Sequence, residues 1–401
     1  MRIAYLSYEF PPDTASGGIG TYTYQVTKTL KKNWGCDIEI FSASPSATVL
    51  NETLEDGIIL HRIKTKTREE FRDVMPPVLL HQHTKNNFDL IESPEYGAEG
   101  LNIKQVITDI PFIVKLHTPS FLVKEIHHSL KRHQIKYRLK NIFGFGIYKK
   151  EKDAEYHLTK QADALSSPSS SLAGIISEKW EIANNSISII PNTFVPENNF
   201  LEIPIDTQTN YITYIGRLEG RKGVHLLAEA IPHVLESVKD ARIRFIGRTN
   251  TGPGGRGTML EYLKNKLFQY SNRIEFIDHV PLSDISSWLK RTDICIFPSL
   301  WENFPNVCLE AMSAGRGIVA SKNGGMFEML HDIRGGELVN PYKPIEIENA
   351  LIKLLNNPKE RMDMGERCRK RVIEIYSKKV PELNIQFYQS VIDGFKNQKL
   401  L

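Results

Sequence analysis

Two glutamates, Glu302 and Glu310, stand with seven residues between them in the stretch DICIFPSLWENFPNVCLEAMSAGRGIVASKNGGMFEML. Ionised carboxylates accept hydrogen bonds from hydroxyl groups, often two at once. A pair beside one loop-to-helix junction therefore suits a polyol, such as a sugar or a ribose. Three cations, Arg217, Arg221 and Lys222, lie in the glycine-bounded loop GRLEGRKG. Arginine offers a planar fork to phosphate oxygens and lysine a mobile point charge. This is the strongest anion site in the sequence, weighed against a merely solvated basic loop. Gly17, Gly18 and Gly20 follow the first apolar run, in the order G-G-I-G. A glycine loop opening a helix aims backbone N–H groups at an anion, although an ordinary tight turn also uses glycines. His117 ends another apolar run, where a ligand-facing imidazole and a structural turn histidine are both open readings.

These groups need elements to hold them. Ile3–Ser7 reads as a strand, 8–20 as the glycine loop and 21–32 as a helix. Further strands are predicted at Ile38–Ala43, Ile58–Ile63, Asp89–Glu92, Phe112–Leu116, Ala164–Ser167 and Ile187–Ile190, with 44–56 an exposed loop and a helix over Leu172–Trp180. Residues 191–209 are polar, proline-containing and weakly periodic, the best linker candidate in the chain. The rhythm then restarts: strand Tyr211–Ile215, helix Val224–Glu236, strands Arg242–Ile246 and Arg273–Ile277, helix Ser283–Arg291, and strands Ile294–Phe297 and Ile318–Ala320. The loop TNTGPGGRGT reads as mobile. Helices fill Ile345–Tyr376 and Lys379–Leu401. Strands alternating with helices imply parallel α/β sheets, and ligands of such sheets bind at the carboxyl ends of the strands.

A chain of 401 residues, 41% hydrophobic and 24% charged, suits two folded domains. The net charge of +4 is too small to argue for nucleic acid. Cys36, Cys295, Cys308 and Cys368 are scattered without C-x-x-C, as expected of reduced thiols in a cytoplasmic protein. The start, MRIAYLSYEFPP, does not read as a signal peptide. No apolar run reaches the roughly 20 residues that cross a bilayer. The stretch 121–156 interleaves lysines and arginines with Phe143, Phe145, Ile147 and Tyr148. Such a segment suits peripheral contact with an anionic membrane, or a solvated helical face. The protein is therefore expected in the cytoplasm, at the inner face of the membrane where that contact holds.

Taken together, GGIG, the strand-terminal His117, GRLEGRKG and E302-x7-E310 with its tail AMSAGRGIVAS closely resemble the retaining, nucleotide-sugar-dependent glycosyltransferases of family 4, of the bacterial surface-polysaccharide type. The resemblance spans nearly the whole chain in order. It implies the GT-B fold, an α/β architecture of two Rossmann-like domains facing each other across a cleft. Residues 1–195 would form the acceptor domain, with the final helix 381–401 packing back on it, and 196–380 the donor domain.

The resemblance also implies roles. The backbone at Gly18 and Ile19 approaches the donor, His117 bonds a donor sugar hydroxyl, and Arg217 and Lys222 bind the diphosphate. Glu302 holds the sugar hydroxyls and Glu310 the ribose hydroxyls. Backbone groups from Phe304 through Asn306 to Val307 face sugar and phosphate, and the base lies near His279 and Val280. His117, Arg217, Lys222 and Glu302 are the expected catalytic set, and Glu95 and Tyr96 the acceptor candidates. The expected donor is UDP-glucose, with GDP-mannose the alternative, and the acceptor a saccharide or lipid-linked saccharide. No cofactor is expected: the sequence has no D-x-D to hold a metal. A nucleotide-sugar epimerase is the nearest rival. A phosphorylase lacks its lysine-bound pyridoxal motif, an oxidoreductase lacks G-x-G-x-x-G, and the complete carboxylate and cation set argues against a non-catalytic binder. Two departures stand out. Phe304-Pro305 replaces Phe-Gly, removing one N–H and leaving Asn306 as a substitute donor. GRGIVA stands where G-x-P-V-V-A is usual.

Overall fold

The computed structural model of the chain describes residues 1–11, 14, 17–46, 51–54, 56–131 and 148–399. Its contacts divide into two units. One contains Met1–Val123, Ile147–Val195 and Ile375–Leu401, and the other is built on Pro196–Glu374.

The first unit has strands β1 (Arg2–Leu6), β2 (Asp37–Ala43), β3 (Asn51–Thr53), β4 (Ile59–Ile63), β5 (Leu90–Pro94), β6 (Phe112–Lys115), β7 (Ala164–Ser167) and β8 (Ile187–Ile189). Their order is β3-β4-β2-β1-β5-β6-β7-β8. All pairings are parallel except β3 with β4. Apolar runs such as Ile3–Leu6 and Phe112–Val114 are buried on both faces, as a parallel sheet sandwiched by helices requires. The sheet grows leftward from β1 to β2 and rightward to β5, so the order reverses beside β1. Crevices form at such reversals, outside the strand ends. The loop carrying GGIG leaves β1, and the segment carrying Glu95 leaves β5.

The second unit repeats the scheme with β9 (Tyr211–Ile215), β10 (Arg242–Ile246), β11 (Ile274–Ile277), β12 (Ile294–Phe297), β13 (Gly317–Ser321) and β14 (Glu337–Val339). The order is β11-β10-β9-β12-β13-β14 and every pairing is parallel. Here the order reverses between β9 and β12. GRLEGRKG follows β9, and the loop carrying Glu302 follows β12.

Several expectations are corrected. The first helix begins at Gly18 rather than Thr21 and runs to Trp34, so the glycines lie in its first turn. The expected exposed loop 44–56 includes the edge strand β3, exposed but paired to β4. The linker contains a short helix, Asn198–Leu201, and buries Phe200 and Ile203. The segment 283–291 is a 3₁₀ turn followed by the brief helix Ile285–Leu289. A helix over Arg68–Lys85 was not read at all, because Pro76 and Pro77 sit in its middle. Burial of Phe71, Met75 and Leu79 outweighs the lost N–H groups. The supposedly mobile glycine loop closes through Gly252 N–H on the Gly257 carbonyl, at 3.0 Å.

The altered tail explains itself. Gly317 N–H donates to the Asp293 carbonyl at 3.0 Å, a bond that the usual proline would lack. Arg316 is 1% exposed. It donates to the carbonyls of Ala314 and Thr292, to Thr207 Oγ1 and to the Pro204 carbonyl, tying the former linker to the second unit. Burial pulls its guanidinium down only to about 10, so it stays charged at neutral pH. Arg316→Met leaves those acceptors without donors and is expected to lower stability by about 2–4 kcal/mol in denaturant unfolding.

Residues 132–147, the middle of the basic aromatic stretch, lie outside the described residues. Where the stretch is described, Phe121 is buried and Tyr148 and Tyr156 are half-buried. Phe121 is 3% exposed and stacks on Tyr148 at 4.6 Å, and Trp180 Nε1 donates to the Tyr148 hydroxyl at 2.5 Å. Among the described residues no helix is long and apolar enough to cross a membrane.

Candidate active site

In the second unit the loops after β9 and β12 meet through charge. Lys222 Nζ lies 2.5 Å from Glu302 Oε1, and an Arg221 Nη lies 3.1 Å from the same oxygen. The other Arg221 Nη reaches Glu219 Oε1 at 3.0 Å. Asn250, from the loop after β10, donates to Glu219 Oε2 at 2.9 Å. The result is two cations and two carboxylates stacked at the sheet reversal. Burial opposes the charge on Glu302, but Lys222 and Arg221 hold its carboxyl below the usual range. Gly223 makes the approach possible. Its φ is +71°, and a Cβ there would collide with the Pro298 carbonyl. Gly325 N–H donates to the Glu302 backbone carbonyl at 2.9 Å, fixing the loop from its other side.

Arg217 lies further out than Arg221 and Lys222. Its side chain is 59% exposed and 3.4 Å from Glu219, away from Glu302 in the bonding pattern. Arg221 holds the inner position instead. The sequence showed all three cations, and only the fold chooses between them.

Glu310 sits in the helix Asn306–Ser313, whose N-cap is Pro305. The proline therefore costs the N-cap N–H alone, and the first-turn groups of Asn306 and Val307 remain at the helix end. One Glu310 carboxylate oxygen is buried without a hydrogen-bond partner. Burial, with Glu197 second, pushes its carboxyl up to about 7. A buried, unsatisfied carboxylate oxygen is costly. It is tolerated where a ligand brings the missing donors. Phe304 is buried, Val307 and Val280 are half-buried, and His279 is exposed beyond β11.

The first unit holds the other expected residues. Gly17 is the extended N-cap of the helix Gly18–Trp34, with no side chain capping it and no acid in the first turn. A Cβ on Gly17 would strike the Glu9 carboxylate, whereas one on Gly18 would meet nothing within 4 Å. Gly17 thus lies close against the Glu9 side chain, and among the described residues Gly18 faces open space. Ile19 is buried. Arg68 ion-pairs with Glu9 and Glu99. It lies between the rings of Tyr8 and Tyr96, at 4.7 and 5.0 Å from their centroids.

His117 leaves β6 with its backbone N–H donating to Glu95 Oε2 at 2.6 Å. Burial first, then Lys115 and Arg68, lowers its imidazole to about 3. It is therefore neutral at any working pH. Glu95 is wholly buried, and burial raises its carboxyl well above the usual range. It serves the His117 backbone and does not offer the open acceptor contact expected of it. Tyr96 is half-buried under Arg68. Among the described residues, no cluster of His, Cys, Asp and Glu could hold a metal ion.

Residues 16–197 match the family model described as Glycosyltransferase Family 4, and 196–371 the model described as Glycosyl transferases group 1. An uncharacterised glycosyltransferase of Methanocaldococcus jannaschii is 22% identical over 94% of this chain and 95% of its own. A D-inositol 3-phosphate glycosyltransferase of Pseudarthrobacter chlorophenolicus is 22% identical over 98% and 96%. Among solved structures, sucrose-phosphate synthase from Thermosynechococcus elongatus superposes with a TM-score of 0.73 at 18% identity, covering 98% of this chain and 99% of that one. Anabaena HepE in complex with UDP-glucose gives 0.68 at 14% identity, covering 97% and 100%. With two glycosyltransferase models matching its successive halves, and two Rossmann-like units to carry them, the chain belongs to the glycosyltransferases of GT-B fold.

Proposed function

We propose that the protein moves a hexose, with retained anomeric configuration, from UDP-glucose to a hydroxyl of a saccharide or lipid-linked saccharide in surface-polysaccharide synthesis. The observation that carries this reading is the partly buried cluster of Lys222, Arg221 and Glu302 at the sheet reversal. A donor diphosphate entering there would meet two preorganised cations, with Arg217 exposed at the rim. Glu302, released from Lys222 as the phosphates arrive, would accept sugar hydroxyls. The lone oxygen of Glu310 would take the ribose hydroxyls. Neutral His117 would bond a sugar hydroxyl without adding charge.

In the reaction the bond from C1 to the diphosphate oxygen breaks and a bond from C1 to the acceptor oxygen forms. The acceptor proton passes to an oxygen of the departing nucleoside diphosphate on the same face. No side chain is assigned as a covalent nucleophile. Fixed cations can stabilise the leaving group without a divalent ion. Solved complexes of similar fold hold UDP with glucose, or ADP with acarbose, which supports a nucleoside diphosphate sugar as donor.

The test is calorimetry with a panel of nucleotide sugars, followed by transfer assays in EDTA. UDP-glucose is expected to bind best, and turnover to be unchanged by EDTA. Preference for GDP-mannose would change the donor. Loss of activity in EDTA restored by Mg²⁺ would overturn the metal-independent mechanism. An epimer formed without acceptor would favour the epimerase. Several relatives are named for D-inositol 3-phosphate, so an inositol phosphate is the second acceptor reading and belongs in the same assay.

A further inference from the structure

Beneath His117 the first unit buries a chain of polar groups that the proposed chemistry does not use. Tyr22 packs edge-to-face on His117, with ring centroids 5.2 Å apart. The Tyr22 hydroxyl donates to Glu92 Oε1 at 2.9 Å. The other Glu92 oxygen accepts from the hydroxyl of Tyr388 at 2.6 Å. Tyr388 in turn lies 3.0 Å from the Tyr5 hydroxyl. Since each hydroxyl carries one proton and that of Tyr388 goes to the carboxylate, Tyr5 donates to Tyr388. On the far side of Tyr22, Lys115 Nζ lies 5.3 Å from the ring centroid and donates to the Ile190 carbonyl at 2.5 Å. All these residues are nearly or wholly buried: Tyr5 1%, Tyr22 3%, Glu92 3%, Lys115 0% and Tyr388 0% exposed.

A buried carboxylate is costly unless its oxygens are satisfied and a counter-charge is close. Here one hydroxyl serves each oxygen, and Lys115 supplies the charge. A hydrophobic filling would stabilise the fold as well. What the polar chain adds is direction: a tyrosine ring pinned at its hydroxyl cannot drift, and His117 packs against that ring. Tyr388 comes from the C-terminal helix Val380–Lys399, 296 residues beyond Glu92.

We propose that Tyr22, Glu92 and Tyr388 are positioning residues for His117, so that the C-terminal helix sets the geometry of the catalytic site through Tyr388. This rests on the reading of His117 as a catalytic residue.

The test is a double-mutant cycle on the full-length chain. Tyr22→Phe and Tyr388→Phe each remove one hydroxyl and keep the ring. Each is expected to lower kcat roughly tenfold, the scale of a misplaced catalytic group, with donor KM unchanged. In a His117→Ala background the same changes are expected to have no further effect on kcat. An equal loss in both backgrounds, or no loss in either, would overturn the proposal. If His117→Ala alone leaves kcat intact, the reading of His117 fails, and a loss from Tyr22→Phe would then be structural. Glu92→Gln, nearly isosteric, guards against misfolding. It is expected to give the same kcat loss with native circular dichroism, and full activity would count against the chain.

Discussion

Lys222→Ala is expected to lower kcat by about 10²–10³, the usual effect of removing one preorganised donor to a developing negative charge. Lys222 is held at 2.5 Å from Glu302, so its ammonium is fixed before any donor arrives. A charge already in place needs no reorganisation when the diphosphate departs. In the variant Glu302 keeps Arg221 at 3.1 Å, so the carboxylate is not left bare and the fold should survive. Lys222→Arg should recover part of the loss, since it keeps the charge with a different reach. Single-turnover rates with matched circular dichroism make the measurement. Unchanged kcat in Lys222→Ala would remove this residue from catalysis.

The second large effect concerns Glu310. Glu310→Ala is expected to weaken UDP-glucose binding by about 10–10²-fold, because hydrogen bonds to a charged group contribute about 1.5–3 kcal/mol. The wild-type affinity should also depend on pH. The carboxyl titrates at about 7 in the free protein. Ribose hydroxyls donate to the ionised form, so binding strengthens as pH rises through that value. Kd should fall about tenfold between pH 6 and pH 8 and then level. The free protein behaves oppositely. A carboxyl raised above its unfolded value favours the folded state at low pH, and that contribution is lost as pH rises through 7. Glu310→Gln should flatten the binding profile, and isothermal calorimetry at a series of pH values reads it directly. UDP-glucose is the right probe because its diphosphate is a diester without a secondary ionisation. A flat wild-type profile would show that Glu310 does not meet the donor.

Much of the site was legible because its residues act locally. Gly223 had to be glycine to take a positive φ against Pro298, and it carries Lys222 with it. The strand-loop-helix rhythm placed GRLEGRKG and Glu302 at strand ends before any coordinates. Local signals failed where contact overrides them. Prolines hid the helix Arg68–Lys85, and burial of Phe71 and Met75 explains why it forms. The first helix is expected late because glycine is a poor helix former, yet Gly20 is demanded by the close passage of the Glu9 backbone.

What the sequence by itself determined is the alternating α/β pattern, the anion loop and the pair of glutamates. Each follows from periodicity, glycine placement or residue chemistry within a few positions. Tertiary structure alone decided which arginine faces Glu302, that Glu95 is buried behind His117, that Arg316 anchors the linker, and that Tyr388 reaches Glu92. Those outcomes depend on strand order and on chain segments up to 296 residues apart. Burial then changes the chemistry: the same carboxyl group lies below its usual range beside two cations at Glu302 and rises to about 7 where it is alone at Glu310.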